Sequence, residues 1–114
     1  MTHIETLSQA VNQFRDERDW RQFHKEKDLA ISISLEANEL LELFQWKDSE
    51  TVLANKQESL RDELADVLIY ALMLADNLDF DLEEIIMAKL EKNRQKYPIE
   101  KAKGSAKKYT ELSE

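Results

Sequence analysis

Residues 64–78 carry apolar side chains on nearly every side of a helical projection, and this pattern constrains the fold more than any other feature of the chain. A helix that is apolar all round lies inside a protein, so other helices must cover it. The chain has one glycine and one proline among 114 residues, too few for the tight turns of an all-β fold. We therefore expect an all-α fold, a single domain resembling a four-helix bundle.

Helical periodicity and capping signals predict four helices and a polar C-terminal tail. Thr2 with Glu5 and Asp81 with Glu84 have the spacing of a capping box, which marks the start of a helix. Pro98 fits a helix that ends just before it. Residues 48–55 are polar and predict a loop. The predicted helices cover residues 4–18, 27–46, 56–77 and 82–96, within a domain over residues 1–98 that precedes a tail over residues 99–114.

Two pairs of carboxylates lie within the second and third predicted helices, each pair separated by three residues. They are Glu36 with Glu39, and Glu63 with Asp66. This spacing places both members of a pair on one helix face. At about 100° per residue, Glu36 falls inside the apolar arc of its helix and Glu39 falls at the edge of that arc. Glu63 and Asp66 both fall beside Tyr70, among the apolar residues of the third helix.

Most acidic pairs in a chain with 24 Asp and Glu residues are solvated surface, and chance alone produces many such spacings. The two pairs differ from that case because an ionised carboxylate among apolar side chains is costly unless another charge compensates it. Lysine and arginine are absent from their stretches of apolar arc. The pattern therefore predicts a site for a hard divalent cation, which prefers oxygen ligands.

Three residues of the fourth predicted helix, Lys89, Asn93 and Lys96, fall inside its apolar arc at positions i, i+4 and i+7. Lysines can extend from such an arc to water, so a purely structural role is an open alternative. Facing metal-loaded carboxylates, the same lysines could hold phosphate oxygens as point charges. The acidic pairs and this basic stripe together indicate a site for a metal–phosphate substrate.

Several aromatic side chains flank the acidic pairs. Aromatic residues in a small bundle usually pack in its core, but flat rings at the border of a phosphate site also suit stacking on a nucleobase. Trp46 is predicted to end its helix near Glu39, and Tyr70 lies one turn beyond Asp66. His24 could donate a hydrogen bond to a base or simply cap a helix. The candidate base-contacting residues are Trp20, His24, Trp46 and Tyr70.

Composition excludes several other classes of protein. The net charge of −8 argues against a nonspecific nucleic-acid binder. The absence of cysteine excludes disulfides and thiolate zinc sites, and two histidines are too few for a di-iron bundle. The longest uncharged apolar run, residues 67–75, is too short to cross a bilayer, and the N-terminus lacks the regions of a signal peptide. We expect a cytoplasmic protein without membrane or nucleic-acid partners.

One surface of the second predicted helix suggests self-association. Ile31 and Leu35 lie on the side away from its main apolar arc. Scattered exposed aliphatic residues are common, but apolar residues on both sides of a helix in so small a domain favour a subunit interface.

These stretches resemble the MazG-like all-α nucleoside triphosphate pyrophosphatases and, within them, the dCTP pyrophosphatase group. The acidic signature of that superfamily, E-x-x-E followed by E-x-x-D, matches the two pairs. More specific are the Phe-Gln-Trp-Lys run at 44–47 and the Asn-Arg-x-x-Tyr-Pro run at 93–98. Phe23-His24 and the Lys-Tyr-Thr-Glu-Leu run at 108–112 match as well, so the resemblance covers about residues 14–112.

The resemblance implies Mg²⁺-dependent hydrolysis of a nucleoside triphosphate to its monophosphate and pyrophosphate, with dCTP or a modified dCTP as the expected substrate. It implies a homodimer or homotetramer in which sites are completed between subunits. The implied metal ligands and catalytic residues are Glu36, Glu39, Glu63 and Asp66, with Glu36 either a ligand or the base. Lys89, Asn93 and Lys96 are implied near the phosphates and sugar, and Trp20, His24, Trp46 and Tyr70 around the base.

Two alternatives to this function stay open. The first is a non-catalytic helical interaction module whose acidic residues are merely surface. The second is a pyrophosphatase that prefers another deoxynucleotide, since a single polar contact can decide between bases.

Overall fold

A computed structural model describes residues 1–112 and confirms the all-α fold. Ser113 and Glu114, the last two residues of the predicted tail, lie outside the described residues. Within residues 1–112 there is no strand, and none of the helices is long and apolar enough to cross a membrane. The helices are α1 His3–Glu17, α2 Glu26–Glu42, α3 Ser49–Asn55, α4 Gln57–Asn77, α5 Leu82–Lys96 and α6 Ile99–Ala102, with 3₁₀ helices at Arg21–Phe23 and Tyr109–Glu111.

The chain divides into two compact units, Met1–Phe80 and Asp81–Glu114. The first unit contains α1 to α4, and the second contains α5, α6 and the 3₁₀ helix Tyr109–Glu111. The division into a domain over residues 1–98 and a tail over residues 99–114 stays a prediction. The structure adds that part of this tail, residues 99–102 and 109–111, is helical.

Helix α4 is the centre of the first unit, where it packs against α2, α1 and α3. Leu29 of α2 and Val52 of α3 are fully buried, as Met73 of α4 nearly is. The prediction that the third helix is buried all round is wrong for its N-terminal half. Leu64 and Leu68 are 52% and 56% exposed, because the packing partners of α4 leave that side of the helix open.

Both predicted capping signals mark helix starts. The Thr2 hydroxyl accepts a hydrogen bond from the Glu5 backbone N–H, and the Glu5 carboxylate accepts one from the Thr2 N–H, each at 3.1 Å. The Asp81 carboxylate accepts a hydrogen bond from the Glu84 N–H, also at 3.1 Å. These bonds satisfy N–H groups that have no partner within the helix.

The predicted loop over residues 48–55 is wrong, because Ser49–Asn55 forms helix α3. The Asp48 carboxylate caps this helix by accepting a hydrogen bond from the Thr51 N–H at 2.8 Å. Val52 then buries its whole side chain. A short helix of this kind depends on tertiary burial more than on its own propensity.

Helix α2 ends at Glu42, so the prediction that it continues to Trp46 is wrong. Its last turn tightens, since the N–H groups of Leu43 and Phe44 donate to carbonyl oxygens three residues earlier. Trp46 itself has a φ of 64°, a left-handed conformation that a helix cannot include. Residues 43–46 therefore form turns that lead from α2 towards α3.

Candidate active site

Three of the four predicted carboxylates come together between α2 and α4. Glu36 and Glu39 lie on α2 and Glu63 lies on α4, two helices that pack side by side. Each residue offers one carboxylate oxygen, and the three oxygens lie within 4.8 Å of one another. We call these residues the acidic cluster. Glu36 and Glu63 are half-buried and Glu39 is exposed.

Two oxygens of the acidic cluster are buried without a partner. Within the described part of the chain, Oε2 of Glu36 and Oε2 of Glu63 accept no hydrogen bond. A buried carboxylate oxygen without a partner is costly, so such atoms are rare in proteins unless a ligand satisfies them. The cluster consists of oxygen donors only, the donor set that Mg²⁺ prefers. These residues therefore fit a hard divalent cation.

The electrostatics of the acidic cluster agree with its geometry. Burial, followed by the nearby carboxyl groups of Glu39, Asp66 and Glu63, raises the pKa of Glu36 to about 7. The neighbouring Glu39 carboxyl group is the main cause that raises the pKa of Glu63, and burial adds to it. Crowded carboxylates disfavour one another's charged forms. A bound cation would reverse that effect by favouring ionised ligands.

Asp66, the fourth predicted ligand, lies one turn beyond Glu63 and lines a cavity instead of joining the three gathered oxygens. Its charge still contributes to the raised pKa of Glu36. Asp66 also helps to raise the pKa of Tyr70, although burial is the main cause of that shift. The Asp66 charge therefore acts both on Glu36 in the acidic cluster and on Tyr70 in the cavity.

The cavity has a volume of about 350 Å³ and lies within the first unit, between α1, the connection that follows it, and α4. Most of its lining is apolar or aromatic, and a few polar groups are available to orient a ligand. Trp20 packs edge-on against Phe14 at 5.6 Å and against His24 at 6.3 Å between ring centroids. The lining residues are Ala10, Val11, Phe14, Trp20, His24, Asp66, Ile69, Tyr70 and Met73.

The structure therefore brings together three of the four predicted base-contacting residues, Trp20, His24 and Tyr70, in one cavity. It does not bring Trp46 to this cavity. The Trp46 side chain is 93% exposed, because the chain turns away from α2 before reaching it.

The predicted phosphate-contacting residues lie in the second unit. Lys89, Asn93 and Lys96 share one face of α5, with both lysines exposed and Asn93 half-buried. The Lys96 ammonium lies 4.8 Å from the centroid of the Tyr109 ring. Tyr109 also packs edge-on against Tyr97 at 6.0 Å. The tail residue Tyr109 thus contacts the C-terminal end of α5.

A buried arginine escaped the sequence analysis. Arg15 of α1 is fully buried, and its guanidinium donates to Asn12 Oδ1 at 2.8 Å, Asp76 Oδ2 at 3.0 Å and Asn77 Oδ1 at 2.8 Å. We call these four residues the arginine network. Arg15 lies four residues after Val11, within the apolar seam of α1, and a charge in that position was the available signal. Its partners on α4 are more than 60 residues away in sequence.

Comparison with known proteins identifies the family. The sequence model of the MazG-like family matches residues 31–112. Sequence identity extends over more of the chain: mouse dCTP pyrophosphatase 1 is 39% identical, over 96% of this chain and 67% of the mouse protein. Human dCTP pyrophosphatase 1 is 40% identical over the same shares. The crystal structure of a pyrophosphatase from Archaeoglobus fulgidus superposes with a TM-score of 0.81 at 43% identity, covering 86% of this chain and 94% of that one. The predicted relationship is confirmed, and this chain belongs to the MazG-like family.

Proposed function

We propose that this protein is a Mg²⁺-dependent pyrophosphohydrolase that converts a nucleoside triphosphate to its monophosphate and pyrophosphate, with dCTP or a modified dCTP as its preferred substrate. The observation that carries the proposal is the acidic cluster with two buried, unpartnered oxygens beside an aromatic cavity that contains Asp66. The mouse and human relatives are named dCTP pyrophosphatase 1, and the archaeal neighbour is a pyrophosphatase.

The acidic cluster and Asp66 would hold the metal. Bound there, Mg²⁺ would supply positive charge against the triphosphate and activate a water molecule for hydrolysis. Glu36 would act either as one of these ligands or as the general base that accepts a proton from the attacking water, since its carboxylate lies among the gathered oxygens. In the reaction, the water oxygen forms a bond to the α-phosphorus and the bond from that phosphorus to the bridging oxygen breaks. Pyrophosphate then leaves.

Trp20 and Tyr70 would enclose the base in the cavity of the first unit, with His24 as a polar contact. In the second unit, taken by itself, Lys89, Asn93 and Lys96 share one face of α5. The two lysines supply positive charge that suits phosphate oxygens, so a role near the phosphates and sugar is proposed for this face.

We further propose a cytoplasmic homodimer or homotetramer. Four leucine and isoleucine side chains on the packed helices α2 and α4 are about half exposed, and such faces commonly form subunit contacts. A second copy would cover them and could bring its exposed Trp46 to the base cavity. These side chains are Ile31, Leu35, Leu64 and Leu68.

A panel of nucleotides tests the reaction and the substrate together. Each deoxynucleoside triphosphate, including 5-modified dCTP, is incubated with the protein and Mg²⁺, and pyrophosphate and phosphate are quantified separately. We expect pyrophosphate, at a rate that is highest for a cytosine nucleotide. A flat profile across bases would overturn the cytosine assignment, and no product from any nucleotide would favour a non-catalytic module. Size-exclusion chromatography with light scattering tests the oligomer, and a monomer would contradict it.

A further inference from the structure

The position of His24 is fixed from outside the cavity that its ring lines. The Asn77 side-chain amide donates a hydrogen bond to the His24 backbone carbonyl at 2.6 Å. Nη1 of Arg15 lies 3.5 Å from Nδ1 of the His24 ring. Asn77 in turn accepts a hydrogen bond from Arg15 at 2.8 Å. One buried guanidinium therefore holds His24 at its ring directly and at its backbone through Asn77.

The contact with Arg15 also determines which ring nitrogen carries the proton. A guanidinium has only N–H donors and stays charged, so a nitrogen that faces it must act as an acceptor. A proton on Nδ1 would place two N–H groups against each other. The neutral ring therefore carries its proton on Nε2. The hydrogen bonds of His24 in the described residues involve its backbone and Nδ1, which leaves Nε2 available to a ligand.

Arg15 is held rigidly enough to impose this state. Asn12, Asp76 and Asn77 all accept hydrogen bonds from it, and its side chain is completely buried. Arg15 is not part of the cavity lining, and it contacts two lining residues, the His24 ring and the Met73 backbone carbonyl, each at 3.5 Å. Of these two contacts, only the His24 ring presents a further polar atom, Nε2, that a base could bind. Burial, with the positive charges of Arg15 and Arg21 as further causes, lowers the pKa of His24 below its ordinary value, in agreement with a neutral ring.

We propose that Arg15 is a positioning residue for base selection, which presents His24 to the cavity as a neutral Nε2–H donor. The proposal places this donor opposite the N3 position of a pyrimidine. Cytosine has an acceptor at N3, whereas uracil and thymine carry an N–H group there that would oppose the donor. This inference rests on the proposed function, since it requires the cavity to be the base site.

The tautomer can be measured without any substrate or activity. Long-range ¹H–¹⁵N NMR of the wild-type protein at neutral pH distinguishes the two neutral tautomers and the charged ring. We expect the Nε2–H pattern for His24. The only other histidine, His3, is exposed at the start of α1 and provides an internal reference, with His3→Gln making the assignment. A charged His24 or an Nδ1–H tautomer would overturn the proposal.

Arg15→Met tests whether the tautomer matters for selection. We expect mixed tautomers at His24 and a fall of about threefold to tenfold in the preference for dCTP over dUTP, measured as the ratio of kcat/KM values, as the loss of one hydrogen bond implies. Arg21→Met is the matched control, because the Arg21 guanidinium also pairs with Asp76 at 2.8 Å, whereas Arg21 contacts His24 only through its backbone carbonyl in the described structure, a bond that the substitution keeps. It should leave both readouts unchanged.

The outcomes separate the two proposals. Mixed tautomers with an unchanged preference would overturn the role in selection, and equal effects of both variants would assign them to the shared partner Asp76. If Arg15→Met fails to fold, the wild-type tautomer together with His24→Phe decides the question, since loss of the ring donor must lower the same preference. If the wild type hydrolyses no nucleotide, the proposed function fails while the NMR result still decides whether Arg15 sets the tautomer.

Discussion

Two polar clusters in the first unit each join helix α4 to a neighbouring helix. They differ in whether their charged groups have hydrogen-bond partners. The acidic cluster gathers three carboxylates around Glu63 and leaves two of its oxygens buried without partners. The arginine network, about 20 Å along the same helix at Asp76, gives the Arg15 guanidinium hydrogen bonds to three side chains. A satisfied network stabilises a fold, whereas buried like charges without partners destabilise it unless a ligand binds. The contrast therefore distinguishes a satisfied network between α1 and α4 from a candidate binding site between α2 and α4.

The largest expected effect comes from removing a charge from the acidic cluster. Glu63→Gln keeps the size of the side chain but removes a proposed metal ligand, so we expect pyrophosphate release to fall by at least about a hundredfold. The helical circular dichroism signal should stay intact. Glu58→Gln, an exposed change on the same helix, is the matched control. Full activity in Glu63→Gln would show that the acidic cluster is not the catalytic site.

Breaking the arginine network should cost stability instead. Arg15→Met leaves buried polar partners unsatisfied, and we expect a loss of about 3 kcal/mol in the free energy of unfolding measured with urea. Asp76 keeps Arg21 as a second partner, which places the loss at the lower end of the usual range. Arg21 is 44% exposed, so Arg21→Met should cost about 1 kcal/mol or less. Equal losses would mean that burial does not distinguish the two arginines.

The same comparison explains what the sequence could and could not predict. The bounds of α5 agree with the predicted helix, Leu82 to Lys96, because Asp81 and Pro98 define its ends locally. The carboxylate spacing predicted a shared face within each helix. It could not predict that Glu63 and not Asp66 would join the three gathered oxygens, because that depends on how α2 packs on α4.

Long-range contacts account for the missed features. Arg15 is visible in the sequence as a charge in an apolar seam, but its partners Asp76 and Asn77 come from the far end of another helix. Helix α3 was missed because one buried side chain, Val52, stabilises it through tertiary contact and its periodic pattern is only seven residues long. The assignments of individual site residues stay predictions until variants test them.

The acidic cluster should also give the protein without metal a distinctive dependence on pH. The pKa of Glu36 is raised from 4.5 to about 7, so the folded state binds more protons than the unfolded state between these values. The contribution of Glu36 to stability must therefore fall as the pH rises from about 4.5 to about 7. Measured in chelator, the free energy of unfolding of the wild type should fall relative to that of Glu36→Gln as the pH rises over this range.

Saturating Mg²⁺ provides the control for that dependence. Because the ion binds the ionised carboxylates, it should stabilise the wild type increasingly as the pH rises, and it should stabilise Glu36→Gln less. A wild type and variant that share one pH profile in chelator would contradict the raised pKa of Glu36.

The smallest expected effect concerns an exposed charge that lies over an aromatic ring. Lys96 lies 4.8 Å from the Tyr109 centroid, in the second unit, and an exposed cation–π contact contributes about 0.5–1 kcal/mol. If this contact orients the Lys96 ammonium for binding a phosphate, Tyr109→Leu should raise KM by about twofold to fivefold. Tyr109→Phe keeps the aromatic ring and should behave as wild type. Equal behaviour of the two variants would show that the ring face does not position Lys96. Unlike the carboxylates of the acidic cluster, the Lys96 ammonium already has a favourable contact, the Tyr109 ring, before substrate binds. The loss of activity in Tyr109→Leu must therefore remain small beside that in Glu63→Gln.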